Sequence, residues 1–303
     1  MDHYQRGWKK MNNQKATART KALYQLLESY AGKKMILAQQ ESPARGFHDR
    51  EIEWIEAVTG ESPAIRGMDF IHDDFSGVTD RAKAWNDRGG IVTICWHTGI
   101  VGNDYPSSKE EIPDWEKLLM SGTEENRRLL DKWEKAARGL SALQEADIPV
   151  LWRPYHEFDG QWFWWGKNTD GSAFRQLWQM MVHHFTNTFC LNNLIWVLGY
   201  ADDVKEGWDP GKAYFDIAGS DTYRGETVHK ESYERLHSLY PDKMLAFHEC
   251  GLIPEPDAFF ESDCVWSWLM PWHGRWLMDN HPDRIKKVYR DERMITLNRL
   301  GFF

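Results

Sequence analysis

Between residues 152 and 166 the chain reads Trp152-Arg153-Pro154-Tyr155-His156-Glu157-Phe158-Asp159-Gly160-Gln161-Trp162-Phe163-Trp164-Trp165-Gly166. The apolar residues just before it, 148–151, predict a buried strand. Arg153, His156 and Glu157 therefore stand at the end of that strand, where a parallel barrel places its reactive groups. Glu157 is positioned to act as a general acid. A buried Arg–Glu pair beneath an aromatic cluster is the alternative interpretation.

Aromatic side chains follow Glu157 closely. Trp162, Trp164 and Trp165 offer flat apolar indole faces, on which the C–H faces of a sugar ring can stack. The chain contains 17 tryptophans, which is a high count for a protein of this length. This excess predicts aromatic surfaces that bind a ligand. A tryptophan-rich core is the alternative, and the two can hold together.

Short apolar segments recur along the chain, and helical patterns separate most of them. The predicted strands are 35–38, 64–68, 91–95, 149–155, 194–198, 214–221, 244–247 and 264–269. Alternating strands and helices imply parallel strands, and eight such units predict an α/β protein with a single (β/α)8 TIM barrel. A doubly wound sheet is disfavoured because no Gly-x-Gly-x-x-Gly or Walker loop follows a strand.

No linker or low-complexity segment divides the 303 residues. We therefore expect one catalytic barrel domain over residues 1–303, with residues 1–15 as an irregular lead-in. The segment from Ile100 to Thr123 is long and contains Pro106 and Pro113. Connections of that length usually carry function, and this one follows the third strand.

Composition excludes several classes of protein. The net charge is −9, from 37 basic and 46 acidic residues without a basic run, so neither nucleic acid nor a membrane is an expected partner. No apolar run is long enough to span a membrane. Because residues 1–21 lack the apolar region of a signal peptide, we expect either a cytoplasmic protein or a secreted or periplasmic one whose signal was removed. We expect a monomer.

The four cysteines, Cys95, Cys190, Cys250 and Cys264, form no Cys-x-x-Cys pair. We expect free thiols, since three of them lie at or beside predicted strands, where a small buried thiol is common. No Cys/His cluster has zinc spacing and no His-Glu-x-x-His is present, so a metal hydrolase is poorly supported. We expect neither a metal ion nor another cofactor.

Six side chains fall at the ends of predicted strands. Because all strand ends of a parallel barrel open onto one face, these residues should converge on one cleft. They are Asp69, His97, Glu157, Tyr223, Glu249 and Trp272. Two of them are glutamates, after strands four and seven, and hydrolysis of a glycosidic bond needs two carboxyl groups. A lone buried glutamate is costly, so catalysis explains the pair better than packing does.

Three polar residues could assist the glutamates. His156 can hydrogen-bond a sugar 2-hydroxyl or steady the catalytic centre, and His97 can contact a sugar hydroxyl. Tyr223 can donate its hydroxyl to Glu249 and so favour the ionised carboxylate. For each of them a satisfied polar group in the core is the alternative.

The stretch 153–166 resembles the signature of glycoside hydrolase family 26, which is best known for β-mannanases. Three further segments agree in order: Trp96-His97, residues 216–223 and residues 248–251. The resemblance implies a retaining hydrolase with Glu157 as acid/base and Glu249 as nucleophile. It also implies that residues beside the glutamates bind the sugar, namely His97, His156, Trp162, Tyr223 and Trp272. Asp69, from its position at the end of strand two, is a further candidate for sugar binding.

Two positions depart from the family pattern. Asp159 stands where Asn or Thr is frequent, which leaves one hydrogen bond in question, and His248 stands where a small residue often precedes the nucleophile. The leading hypothesis is an endo-β-1,4-mannanase acting on mannan, glucomannan or galactomannan. The alternatives are the same retaining mechanism on β-1,3-xylan or mixed-linkage β-glucan, an exo-acting mannobiose-releasing enzyme, or a non-catalytic polysaccharide-binding barrel.

Overall fold

Parallel strands close into a barrel in the computed structural model, which describes residues 11–302. Its eight barrel strands are β1 Met35–Gln40, β2 Ile65–Asp69, β3 Ile91–Trp96, β4 Val150–Pro154, β5 Leu194–Ala201, β6 Ile217–Asp221, β7 Met244–Cys250 and β8 Trp266–Pro271. Each strand pairs in parallel with the next, and β1 pairs with both β2 and β8, which closes the barrel. A short strand, β9 Met294–Ile295, adds to the start of β1. The predicted (β/α)8 barrel is confirmed.

Helices surround the barrel. They are α1 Ala18–Tyr30, α2 Arg50–Thr59, α3 Phe75–Asp87, α4 Tyr105–Glu110, α5 Trp115–Leu119, α6 Glu124–Glu145, α7 Ser172–His183, α8 Lys230–Leu239, α9 Pro256–Glu261, α10 Arg275–Met278 and α11 Pro282–Arg290. Residues 202–216 connect β5 to β6 without a helix. None of the helices within residues 11–302 is both long and apolar enough to cross a membrane.

Alternation along the strands divides the core into two layers. In β4, Val150 and Trp152 pack in the layer between barrel and helices, whereas Leu151 joins the cluster inside the barrel. The next inward position belongs to Arg153. The interior is therefore apolar at the start of the strands and charged at their carboxyl ends, which is where the predicted site lies.

The observed elements differ from the predicted ones mainly at their ends. β7 continues through His248 and Glu249 to Cys250 instead of ending at Phe247, and its pairing with β6 and β8 shifts register in this part of the strand. The segment from Ile100 to Thr123 contains the two short helices α4 and α5. Of the predicted lead-in, residues 1–10 lie outside the described part of the chain, and residues 11–15 contain neither helix nor strand.

Candidate active site

The turn after β4 presents Glu157 at the carboxyl end of the barrel. Tyr155 and Glu157 both have left-handed backbones, with φ of 50° and 52°. Such values are uncommon for residues other than glycine and concentrate at functional sites. The N–H of Glu157 donates to the carbonyl of Gly199 on β5 at 2.8 Å, which anchors the turn to the neighbouring strand. The site is thus built on rigid elements.

Glu157 lies in surroundings that favour its protonated form. Burial and, next, the negative charge of Glu249 raise its pKa from an ordinary value near 4.5 to about 8. The indole Nε1 of Trp162 donates to Glu157 Oε2 at 2.8 Å and opposes that shift. A carboxyl group protonated at neutral pH can act as a general acid.

Glu249 has different neighbours. The Arg153 guanidinium bridges it to Asp221, donating to Glu249 and, at 2.9 Å, to Asp221 Oδ2. The hydroxyl of Tyr223 donates to Glu249 Oε2 at 2.6 Å. The two donors thus occupy both oxygens of the Glu249 carboxylate. The hydrogen bond predicted from Tyr223 to Glu249 is therefore present.

Asp221 is a buried carboxylate that the sequence analysis did not single out as a site residue. Burial and the charge of Glu249 raise its pKa well above the usual range, although Arg153 opposes this. The available signal was its place at the end of β6, two residues before Tyr223. Its role is to share the Arg153 guanidinium with Glu249.

His97 and Asp69 form a buried pair at the ends of β3 and β2. His97 Nδ1 lies 2.6 Å from Asp69 Oδ2, and the His97 backbone N–H donates to Asp69 Oδ1 at 2.9 Å. Burial alone would raise the pKa of Asp69, but the charge and hydrogen bonds of His97 outweigh it and lower that pKa. The same pairing raises the pKa of His97 against its burial. We expect Asp69 to affect sugar binding indirectly, by holding the His97 ring in place.

Two other histidines, His156 and His248, are buried near Glu249. His156 Nε2 lies 3.6 Å from Glu249 Oε1. Burial and the nearby Arg153 charge hold the pKa of both His156 and His248 well below the usual range, so both rings are neutral. The other unusual residue, Asp159, is buried and accepts hydrogen bonds from two backbone N–H groups, that of Ala201 at the end of β5 and that of Lys205 in the following loop.

The aromatic residues divide between surface and core. Trp162 is 39% exposed, and Trp272 is half-buried with its ring centroid 6.0 Å from that of His97. The expectation that Trp164 and Trp165 offer faces to a sugar is wrong. Both are fully buried, and their indole N–H groups donate to carbonyl oxygens within the fold, at 2.7 and 2.8 Å. The alternative of a tryptophan-rich core thus applies to these two residues.

Tyr105 is an aromatic candidate that the sequence analysis missed. It begins α4, is 45% exposed, and its ring lies 5.2 Å from that of His97 and 6.0 Å from that of Phe163. Burial and then the negative charges of Glu157 and Glu249 raise its pKa. Its only sequence signal was membership of the long segment after β3.

Within residues 11–302, two groups of side chains have donor atoms close enough to hold a metal ion, within 4.8 Å of one another. They are Asp69, Cys95 and His97 in one group, and His156, Asp221 and Glu249 in the other. The hydrogen bonds described above already engage the carboxylates of both groups. Their arrangement is therefore explained by pairing within the protein.

Comparison with known proteins gives a consistent result. A family model described as glycosyl hydrolase family 26 matches residues 12–299. A mannan endo-1,4-beta-mannosidase of Thermothelomyces thermophilus is 30% identical, over 96% of this chain and 63% of that protein. One of the same name from Bacillus subtilis strain 168 is 35% identical, over 68% of this chain and 62% of that protein. The chain thus spans less than two thirds of the length of these relatives.

Solved structures share the fold. A GH26-CBM35 β-(1,4)-mannanase of Podospora anserina superposes with a TM-score of 0.89 at 29% identity, over 98% of this chain and 70% of that one. A β-mannanase from a symbiotic protist of the termite Reticulitermes speratus, complexed with gluco-manno-oligosaccharide, superposes with a TM-score of 0.86 at 28% identity. The match covers 98% of this chain and 99% of that one. The barrel, the paired glutamates and these matches agree, and the chain belongs to glycosyl hydrolase family 26.

Proposed function

We propose that this protein is a retaining endo-β-1,4-mannanase whose residues 1–303 act as one catalytic domain. The observation that carries the proposal is the contrast between the two glutamates at the ends of β4 and β7. Glu157 has a pKa of about 8 and is protonated at neutral pH, whereas Glu249 accepts hydrogen bonds from Arg153 and Tyr223. One acid and one carboxylate are what a retaining glycosidase requires.

The roles follow from these surroundings. Glu157 gives its proton to the glycosidic oxygen as the bond to the leaving sugar breaks, while the Glu249 carboxylate attacks the anomeric carbon. Glu157, now ionised, then takes a proton from water, which attacks the same carbon and releases Glu249. A spacing of about 5–5.5 Å between the two carboxyl groups is expected for this mechanism.

Substrate binding is assigned to the groups around the glutamates. Trp272 would lie beneath the sugar whose bond is cleaved, and exposed Trp162 would stack beside that bond. His97 and His156 would contact sugar hydroxyls. Mannan is favoured as the polymer because the similar curated proteins are named mannan endo-1,4-beta-mannosidases. The similar protist enzyme is described in complex with gluco-manno-oligosaccharide, which supports glucomannan as a further substrate.

The decisive experiment is a product profile on β-1,4-mannan, β-1,3-xylan and mixed-linkage β-glucan. An endo-mannanase lowers the viscosity of mannan early and releases oligosaccharides of several lengths, whereas exo action releases mannobiose alone. Glu157→Gln serves as the inactive control. Cleavage of xylan or glucan without mannan would replace the substrate assignment, and binding to mannan without cleavage would indicate a non-catalytic barrel.

A polymer cannot enter a cell intact, so an enzyme that cleaves within its chain must meet it outside the cytoplasm. We therefore favour action outside the cell or in the periplasm. Fractionation of the native source, followed by immunoblotting, tests this. Recovery of the protein only from the cytoplasm would point instead to a role on imported oligosaccharides.

A further inference from the structure

A buried carboxylate on α2 joins two loops at the edge of the site. Glu51 is fully buried, and its Oε1 accepts a hydrogen bond from the backbone N–H of Gly274 at 2.9 Å. Its Oε2 accepts one from the N–H of Ser42 at 3.1 Å. Ser42 follows β1 and Gly274 follows β8, and these strands are neighbours where the barrel closes. Glu51 therefore connects the loops on both sides of that closure.

The connection is specific to a carboxylate at this position. Glu51 lies in the first turn of α2, where the helix dipole stabilises a negative charge. Removal of the side chain would leave two backbone N–H groups without acceptors, and the loss is costly at Ser42, whose N–H is buried. Gly274 has φ of 65° and ψ of −130°, a backbone conformation that other residues rarely adopt. The loop therefore takes a shape that requires support.

The loop held in this way, residues 272–278, carries two tryptophans. Trp272 lies against His97, with ring centroids 6.0 Å apart. Trp276 lies against Tyr223, with centroids 4.5 Å apart, and Tyr223 is the donor to Glu249. Trp276 also lies so close to Gly251 that a Cβ there would approach its ring to 2.8 Å. Displacement of the loop would thus disturb both the contact with His97 and the hydrogen bond from Tyr223 to Glu249.

Other contacts hold the two ends of the loop. Gln39 Nε2 donates to the carbonyls of Pro271 and Trp272, at 3.2 and 3.4 Å. Asn280 Nδ2 donates to the carbonyls of Gly251 and Trp276, at 3.0 and 2.9 Å. Glu51 binds the loop between these ends, at Gly274, the residue that precedes α10. Its loss should therefore loosen residues 272–278 without unfolding the barrel.

We propose that Glu51 is a positioning residue that holds the 272–278 loop, and through it Trp272 and Trp276, against the residues that flank the nucleophile. The proposal rests on the proposed function, since it assigns Glu51 to the same site. Glu51 lies on a helix outside the barrel and touches no reacting atom.

A double-mutant cycle tests the proposal. Glu51→Ala should lower kcat/KM about tenfold, the usual size of coupling between residues in one network, and Glu51→Gln should lower it less because one acceptor remains. Gly274→Ala, whose Cβ would meet no atom within 4 Å, should act like Glu51→Ala through backbone strain alone. In Trp272→Ala and Trp276→Ala backgrounds the Glu51→Ala loss should shrink. An undiminished loss in both backgrounds would overturn the proposal.

A control and a readout independent of activity complete the test. Glu56→Ala changes the same helix at a surface carboxylate, which bonds Arg88 and Ser62, and should keep wild-type kinetics. Hydrogen exchange measured by mass spectrometry should accelerate at residues 272–278 in Glu51→Ala and Glu51→Gln, but not in Glu56→Ala. Unchanged exchange would refute the positioning role, whatever polymer the enzyme cleaves. Faster exchange in a protein that cleaves no mannan would refute only the proposed substrate.

Discussion

Two identical side chains acquire different chemistry from what surrounds them. Glu157 has a single indole donor and the negative charge of its partner nearby, so its proton is retained. Glu249 faces the Arg153 guanidinium and the Tyr223 hydroxyl. In the proposed mechanism, these different surroundings make Glu157 the acid and Glu249 the nucleophile. At the scale of residues, the proposed roles of the two glutamates therefore follow from the charges and donors around them.

The pKa of Glu157 predicts the alkaline limb of the pH profile. The acid must be protonated to donate, so kcat/KM should fall as the pH rises through about 8. Trp162→Phe removes a hydrogen bond that stabilises the ionised form, so its alkaline limb should move to higher pH. Profiles of kcat/KM on a soluble mannan-oligosaccharide measure both effects. A limb that stays in place or moves downward in Trp162→Phe would contradict this description.

Azide rescue separates the two glutamates. With an activated aryl β-mannoside, Glu157→Ala should form the glycosyl-enzyme but release it slowly, with turnover reduced by about 10²–10⁴. Azide needs no general base, so it should attack the intermediate, restore turnover and give a β-glycosyl azide.

In Glu249→Ala no glycosyl-enzyme can form, so azide can attack only from the opposite face and should give the α-azide. The anomeric configuration, measured by NMR, distinguishes the two variants. Reversed configurations would show that the two roles are exchanged, and full activity in both variants would exclude the catalytic pair.

At the scale of elements, the register shift in β7 allows two successive side chains, those of His248 and Glu249, to point into the barrel. Alternation would turn one of His248 and Glu249 outward. Instead, Glu249 meets Arg153, and the His248 ring lies over Gly219 on β6 and 5.1 Å from the ring of Trp268. Irregularities of this kind redirect side chains next to active sites. Gly219 provides the space that His248 occupies.

This packing predicts that a larger side chain at Gly219 is destabilising and that a smaller one at His248 compensates for it. A Cβ added at Gly219 would lie 1.9 Å from the His248 ring, so Gly219→Ala should lower the free energy of unfolding by about 1–3 kcal/mol, as overpacking does. Combining it with His248→Ala should recover part of that loss, because the clashing ring is gone. Denaturant unfolding followed by circular dichroism measures each variant. As a control, Gly225→Ala changes a glycine outside the strands with nothing near its Cβ, and should show only the cost of its positive φ.

At the scale of the whole molecule, the closed barrel gathers residues from six strands onto one face. The large apolar side chains that residues 11–302 leave exposed all lie in segments after β1, β3 and β4. They are Phe47, Val101, Tyr105, Ile112, Met120 and Trp162. All of them thus belong to connections that follow a strand, and in a parallel barrel such connections lie at the carboxyl end of the strands.

The thiols provide a test of the global packing. Cys95, Cys250 and Cys264 are buried and unbridged, and Cys190 is exposed. A chromogenic disulfide reagent should therefore titrate one thiol quickly in the native protein and all four after denaturation. A reducing agent should leave the melting temperature unchanged. Fewer than four thiols in the denatured protein, or a melting temperature lowered by reduction, would reveal a disulfide.

Much of the fold follows from local sequence patterns. Apolar runs, helical stripes and Gly or Pro breaks predicted eight strands in order, and parallel strands bring their carboxyl ends together whatever the loops do. For that reason Glu157 and Glu249, 92 residues apart, could be placed on one face without any coordinates. The order of the strands along the chain, with a glutamate after the fourth and the seventh, was sufficient for this placement.

Only the tertiary structure decided which side chains face the cleft and which neighbours they have. Trp162, Trp164 and Trp165 are alike in sequence, yet one is exposed and two are buried, because burial depends on how the loop folds back on β4. The link from Glu51 to Gly274 joins residues 223 positions apart, and it exists only because β1 and β8 meet where the barrel closes. Contacts of that range leave no periodicity in the sequence, since they arise from packing between distant elements.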